Sequence, residues 1–409
     1  MRILLIAPNY DRTATGESWS TYKWAEGISA RCETVVLTKH PRGWDSTQSP
    51  LNASAVVNWD EPKLPGLSGR LAWELKPTYL HFYFRVRKWL RQALHRGEQF
   101  DLVHQINPLA LRYPCPAQGL GYKYIIGPLA GSLRTPPAFA MAARERQWYR
   151  KLRHLDSLRL RYDPWLKSSY SGATAILGVA PYVQELLLPC NVRRFEIMAE
   201  TGVEQVALQP KSPPPADRPL RLLFVGRLIR TKGILEAIES ISLAAQTCAV
   251  TLDIVGAGDL SSECEQLVTR LGLRARVTFH GRLQKEKVFE WYDHSDAFLF
   301  PSYREPSGNV IFEAMSRGLP VITSSVGGPG YVVTEDCGFR IIPHNRQEFV
   351  AGLARAITTL AGQPGKLTLM SAAALQRISE IAIWPNKITR LISLYSDLTG
   401  TKIPPGKRG

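Results

Sequence analysis

The amino-acid sequence predicts an α/β protein built as two doubly wound domains with a central cleft between them. Short apolar runs alternate with longer amphipathic ones along almost the whole chain, the pattern of parallel strands covered by helices on both faces. A proline-rich stretch, Gln209–Pro219, interrupts that alternation near the middle. The length, 409 residues, exceeds one ordinary domain and suits two.

In the first half, Ile3–Ala7, Glu33–Thr38, Phe100–Gln105, Lys123–Gly127 and Thr174–Val179 read as strands. Five prolines between Gln209 and Pro219 fit neither a central strand nor a helix interior, so this stretch is expected to be a stiff linker. A second strand series follows: Leu220–Val225, Val250–Val255, Arg276–His280, Ala297–Phe300, Leu319–Thr323 and Gly338–Ile342. The expected division is a first doubly wound domain over 1–208, the linker over 209–219 and a second doubly wound domain over 220–383. A helix from Asn386 to Leu398 then packs back on the first domain, ahead of a basic tail.

Composition narrows the function classes. With 44% hydrophobic and 21% charged residues, the chain can bury full cores, which excludes wholesale disorder. No stretch of 18 apolar residues occurs, so no spanning helix is expected. Met1–Pro8 is too soon interrupted for a signal peptide and reads as a buried first strand. The six cysteines are scattered without CxxC spacing, which suits reduced thiols in a cytoplasm and offers no zinc or redox motif. The net charge is +16; residues 1–210 carry 27 Lys and Arg against 17 Asp and Glu, and the remainder 24 against 18. That balance fits an anionic partner, or simply solubility.

Doubly wound sheets bind ligands at the carboxyl ends of their strands, so chemistry is sought there. After Ala297–Phe300 comes Glu305-Pro-Ser-Gly-Asn-Val-Ile-Phe-Glu313, closed by Arg317, Gly318 and Pro320. Ser307–Asn309 reads as a helix start, placing Glu305 on the loop and Glu313 on the helix. A helix start attracts phosphate or sugar oxygens, and the two carboxylates can accept from hydroxyls. Two solvated acids at a helix start would look the same. After Leu220–Val225 comes Gly226-Arg227-Leu-Ile-Arg-Thr-Lys232-Gly233. Arg227 offers a planar fork and Lys232 a point charge for phosphate, unless the loop merely stays in water. Gly256-Ala-Gly258 lacks the third glycine of a dinucleotide turn and reads as a strand-to-helix turn.

Taken together, Gly226-Arg227-Leu228, Lys232-Gly233, and Glu305 followed after seven residues by Glu313-Ala314 resemble the retaining glycosyltransferases of family 4. The likeness is specific over residues 220–330 and includes Pro301-Ser302, Gly318-Leu-Pro-Val-Ile-Thr and Gly327-Gly328. It implies the GT-B fold of two Rossmann-like domains, and a metal-independent hexosyl transferase that keeps the anomeric configuration. It further implies that Arg227 and Lys232 hold the donor diphosphate and offset charge on the departing nucleotide. Glu313 would bind the ribose, and Glu305 with the backbone from Gly308 through Asn309 to Val310 the sugar. Gly281-Arg282-Leu283 would frame the nucleobase, and Gly16 would let the diphosphate approach, unless it is a simple loop glycine. The co-substrate is then a nucleotide-diphosphate sugar, with no metal or other cofactor; no DxD-like metal loop stands out.

Two departures matter. Many members have Glu-x-Phe-Gly where this chain has Glu305-Pro-Ser-Gly308, so donor preference does not transfer. Many also carry a histidine after the mid-domain strand, where this chain reads Ile126-Gly127-Pro128-Leu129-Ala130-Gly131-Ser132. The glycine-rich backbone at Gly127 and Gly131, or His104, would take that place on the acceptor side; for His104 a structural role is the other reading.

Tyr79–His95 reads as a helix with Phe82, Val86, Trp89 and Ala93 on one stripe, and Arg85, Arg87, Lys88 and Arg91 elsewhere. Arg144–Lys167 is a second basic, aromatic stretch. Both suit an anionic membrane surface or an ordinary basic helix face. With the resemblance, the expected acceptor is a carbohydrate or lipid-linked glycan of cell-surface polysaccharide synthesis, met at the cytoplasmic membrane surface. No nucleic acid is expected. A nucleotide-sugar epimerase on the same fold, or a non-catalytic basic protein binding membrane or nucleic acid, are the competing readings.

Overall fold

In the computed structural model, which describes residues 1–62, 78–140 and 155–401, the apolar runs form two parallel sheets. The first contains β1 (Arg2–Ile6), β2 (Glu33–His40), β3 (Ala55–Asp60), β4 (Leu102–Gln105), β5 (Tyr124–Leu129), β6 (Ala175–Gly178) and β7 (Phe195–Ile197). Their order is β3-β2-β1-β4-β5-β6-β7, with every pairing parallel. The second contains β8 (Leu220–Val225), β9 (Val250–Val255), β10 (Val277–Gly281), β11 (Ala297–Phe300), β12 (Val321–Ser324) and β13 (Gly338–Ile341). It runs β10-β9-β8-β11-β12-β13, again all parallel. In each sheet the strand order reverses beside the first strand, at β1/β4 and at β8/β11, and a doubly wound sheet opens its ligand crevice at such a reversal.

β3 and β7 were not expected. β3 is an edge strand with Asn58 and Asp60 among its six residues and no buried position. β7 is three residues long and lies beside Arg194. Neither has the continuous apolar character of a strand covered on both faces.

The chain divides into two compact units. One comprises Met1–Ser132, Gln147–Glu200 and Trp384–Gly409; the other comprises Leu133–Arg146 and Thr201–Ile383. The expected boundaries are corrected in two places. Residues 201–208 go with the second unit, because Val203 N–H donates to Ala382 O at 2.9 Å and Ala207 N–H to Ser316 O at 2.7 Å. Residues after Ser132 also go there, where Phe139 is buried against Tyr303 (4.4 Å between ring centroids) and Phe349 (5.6 Å). The proline-rich stretch is pinned along the second unit. Arg218 forms a two-pronged pair with Asp296 at 2.8 Å, and Lys211 Nζ donates to Tyr292 O at 3.0 Å.

The helix Trp384–Thr399 lies in the first unit against the helix Glu17–Ser29. The Lys387 ammonium sits 4.6 Å from the Trp24 ring centroid and 4.2 Å from that of Trp384. Two aromatic faces offset part of the cost of burying that cation, and burial still holds its pKa well below the ordinary lysine value. Residues 144–154 of the second basic stretch, and the basic tail beyond residue 401, lie outside the described residues. Among the described residues no helix is long and apolar enough to cross a membrane, and all six cysteines are free thiols.

Candidate functional site

The reversal point of the second sheet gathers most of the candidate residues. β8 ends at Val225, and the turn that follows carries Gly226, the exposed Arg227 and a short 3-10 turn, Arg230–Lys232. β11 ends at Phe300 and leads through Pro301–Ser307 to the helix Asn309–Ser316. The two loops are locked together. Gly233 has φ +70°, and a Cβ there would lie 2.2 Å from Pro301 O, so only glycine allows this approach. Ser302 Oγ donates to Thr231 O at 2.9 Å.

This locking brings Lys232 and Glu305 together. The Lys232 ammonium donates to Glu305 Oε2, and the side chains keep only 17% and 14% of their surface. Glu305 Oε1 accepts from Gly308 N–H at 3.3 Å. The helix start differs from expectation in one respect. Its cap is Gly308 itself, in the left-handed region at φ +85°, with no side-chain cap from Ser307. Ser307 Oγ and Asn309 Oδ1, on either side of it, are buried without a hydrogen-bond partner. Both atoms keep hydrogen-bonding capacity that the protein itself does not use. Val310 follows in the first turn, half-buried.

Glu313 lies one turn further on. Burial pushes its carboxyl pKa up, and Lys285 and the Tyr292 hydroxyl partly oppose that. The hydroxyl donates to Glu313 Oε2 at 3.2 Å. Gly281 closes β10 with φ +66°, followed by the exposed Arg282 and the half-buried Leu283. Gly256 N–H donates to Gly281 O at 2.7 Å, and Gly226 N–H to Val255 O at 3.0 Å. The ends of β8, β9 and β10 are therefore tied in series, and Gly256-Ala-Gly258 is the middle tie.

In the first unit, Gly16 is exposed at φ +68° as the cap of the helix Glu17–Ser29, with open space where a Cβ would go. Its requirement is conformational. Gly127 has φ +127°, and a Cβ would meet Leu177 O at 2.3 Å. Gly131 N–H donates to the Tyr182 hydroxyl at 3.1 Å.

The acceptor-side reading of His104 is corrected. It is fully buried; Nε2–H donates to Gly127 O at 2.7 Å, and Nδ1 receives the Tyr395 hydroxyl. A carbonyl only accepts, so the proton sits on Nε2, and neither ring nitrogen is left for an acceptor sugar. Burial lowers its pKa to about 4.

Sequence reasoning missed Tyr292 and Lys285. Both lie on the helix Lys285–His294, 21 and 28 residues before the carboxylate they serve. In sequence they look like one apolar and one polar position of an ordinary helix. Among the described residues no cluster of three or more His, Cys, Asp or Glu side chains is spaced to hold a metal.

Residues 206–360 match the family model of glycosyl transferases group 1. A lipopolysaccharide core biosynthesis glycosyltransferase of Rhizobium meliloti is 34% identical over 170 residues, which is 39% of this chain and 45% of that protein. The chain thus spans under half the length of this relative. Among solved structures, the apo form of a lipopolysaccharide outer core galactosyltransferase, WaaB, superposes with TM-score 0.66 at 16% identity, covering 96% of this chain and 99% of that one. HepE of Anabaena in complex with UDP superposes with TM-score 0.64 at 19% identity, covering 97% and 100%. At such identities the likeness is one of fold: two parallel α/β units of the GT-B class.

Proposed function

We propose that the chain is a retaining, hexosyl-type glycosyltransferase of family 4 that moves a sugar from a nucleotide-diphosphate donor to an acceptor hydroxyl. The observation that carries this reading is the arrangement at the β8/β11 reversal. There a cation–carboxylate pair, a glycine-capped helix start with orphaned polar atoms, and a mostly buried carboxylate lie along one stretch of loop and helix. Phosphate, sugar and ribose each find suitable chemistry in it. The match over residues 206–360 and the UDP complex of a protein of like fold support the same assignment.

In this reading Arg227 and Lys232 hold the diphosphate and stabilise charge on the leaving nucleotide. Glu305 and the Gly308–Val310 backbone hold the sugar, Glu313 holds the ribose, and Gly281–Leu283 frame the base. The acceptor hydroxyl attacks from the leaving-group side, and a donor phosphate oxygen receives its proton. No metal cofactor is needed, because the two cations supply the positive charge. Retention rests on the resemblance carried by Arg227, Lys232, Glu305 and Glu313.

The acceptor in this reading is a lipid-linked glycan met at an anionic cytoplasmic membrane surface. The helix Thr78–His95 supports that part: Leu80 and Phe84 are exposed beside the exposed Arg85, Lys88 and Arg91. Co-sedimentation with anionic but not zwitterionic vesicles is the expected result. Binding to neither would leave the acceptor to be sought among soluble carbohydrates.

Glycosyl transfer is tested with the wild type and with Arg227→Ala and Glu313→Ala, following the anomeric signal of the product by NMR. Loss of transfer in both folded variants and a retained configuration are expected. Wild-type turnover in both would end the assignment. Donor turnover in the absence of acceptor would point to an epimerase instead.

A further inference from the structure

We propose that Tyr292 is a positioning residue that holds the Glu313 carboxylate in the orientation that receives the donor ribose. The inference rests on the donor site proposed above and deepens it. Tyr292 is fully buried on the helix Lys285–His294, and its hydroxyl donates to Glu313 Oε2 at 3.2 Å, with Val310 O as a longer second acceptor at 3.5 Å. Its ring is fixed edge-on against Phe298 of β11, 5.7 Å between centroids, and against Phe289 at 5.7 Å. The helix is itself held at both faces. Trp291 lies against the His280 ring on β10 at 3.9 Å, and His280 Nε2 pairs with Asp253 Oδ1 on β9 at 2.7 Å. Lys211 Nζ donates to Tyr292 O at 3.0 Å.

A carboxylate on a flexible side chain has many orientations, and a buried one without a donor has a strong tendency to take up a proton. Tyr292 removes both problems. It engages Oε2, which restricts how the carboxylate can turn, and its hydroxyl stabilises the charged form. The Lys285 charge favours the ionised form of the same carboxylate. Tyr292 never touches the donor in this account; it acts through Glu313.

The test uses the full chain and whichever of UDP, GDP or ADP the wild type binds, with the matching 2′,3′-dideoxynucleotide as the probe lacking both ribose hydroxyls. Tyr292→Phe keeps the ring and its packing and removes only the hydroxyl. It is expected to weaken binding of the ribonucleotide about tenfold, and increasingly so as the pH is lowered, because the carboxyl without its hydroxyl donor takes up a proton more readily. Affinity for the dideoxynucleotide is expected to stay at the wild-type value. In turnover the loss is expected in KM more than in kcat.

A merely structural tyrosine would weaken both nucleotides alike, with no change in the pH profile, and that result would overturn the proposal. So would wild-type affinity of Tyr292→Phe for the ribonucleotide. If the wild type binds none of the three nucleotides, the donor-site reading itself fails. If the wild type binds and Tyr292→Phe is indistinguishable from it, only the role of Tyr292 falls.

Discussion

Lys232 and Glu305, 73 positions apart in sequence, form an ion pair at the reversal point of the second sheet, with both side chains mostly out of water. Desolvating one charge without its partner is costly, and an incoming diphosphate gives Lys232 a second anion to serve. Lys232→Ala should therefore destabilise the second unit by about 1–3 kcal/mol and lower glycosyl transfer by at least about a hundredfold. Chemical denaturation with the transfer assay checks both. A stable variant with unchanged turnover would remove Lys232 from the site.

Glu313 should show the opposite sign in stability. Its carboxyl pKa is raised by burial, so the charged form opposes folding, and stability falls as pH rises through the unfolded-state value toward the folded one. Glu313→Gln is expected to leave the free protein as stable as the wild type at pH 7, or more so, while nucleotide affinity drops about tenfold or more. A variant that loses stability but keeps its affinity would contradict the ribose-binding role.

Gly256 is expected to tolerate no side chain. Its φ is +140°, and an added Cβ would fall 1.9 Å from Gly226 O, directly before Arg227. Gly256→Ala should cost about 3 kcal/mol or more and weaken nucleotide binding by displacing the Arg227 turn. Thermal unfolding and nucleotide titration would detect both. A neutral variant would mean that the turn relaxes freely.

His104 predicts the acid limb of stability. Burial lowers its pKa to about 4, and that of His40 likewise to about 4. Each unfolded ring takes up a proton near pH 6.5, while the folded one resists until near 4. This part of the stability is complete above about pH 6.5 and is lost as pH falls toward 4, on the order of 3 kcal/mol for His104. His104→Gln should make the slope of stability against pH shallower by about one proton over that range. An unchanged slope would show that His104 is not buried neutral.

The sequence was most legible where a strand is covered on both faces. β8, β9 and β11 begin and end at the expected residues, since Leu220–Val225, Val250–Val255 and Ala297–Phe300 are mostly apolar, broken only by Arg221, Thr251 and Asp253. The edge strands β3 and β7 were missed because half-exposed strands lack that character. The strand expected from Leu319 starts at Val321, because Gly318 at φ +73° and Pro320 still belong to the turn. At the candidate site, the local pattern shows Arg227, Lys232, Glu305 and Glu313 as polar residues at strand ends and a helix start. It does not show that Lys232 meets Glu305, that Tyr292 meets Glu313, or that Tyr395 meets His104 from 291 positions away. Those contacts follow from the order of strands in each sheet and the return of the last helix, which no local window contains.

The most direct test is a thermal-stability titration of the purified chain with UDP-, GDP- and ADP-sugars, run in parallel on Arg227→Ala. The account predicts a saturable rise in unfolding temperature with one nucleotide class, equivalent to about 2.7 kcal/mol at a hundredfold excess over the dissociation constant, and its loss in the variant. An equal rise in wild type and variant, or no rise with any donor, would contradict a nucleotide-sugar site at the β8/β11 reversal.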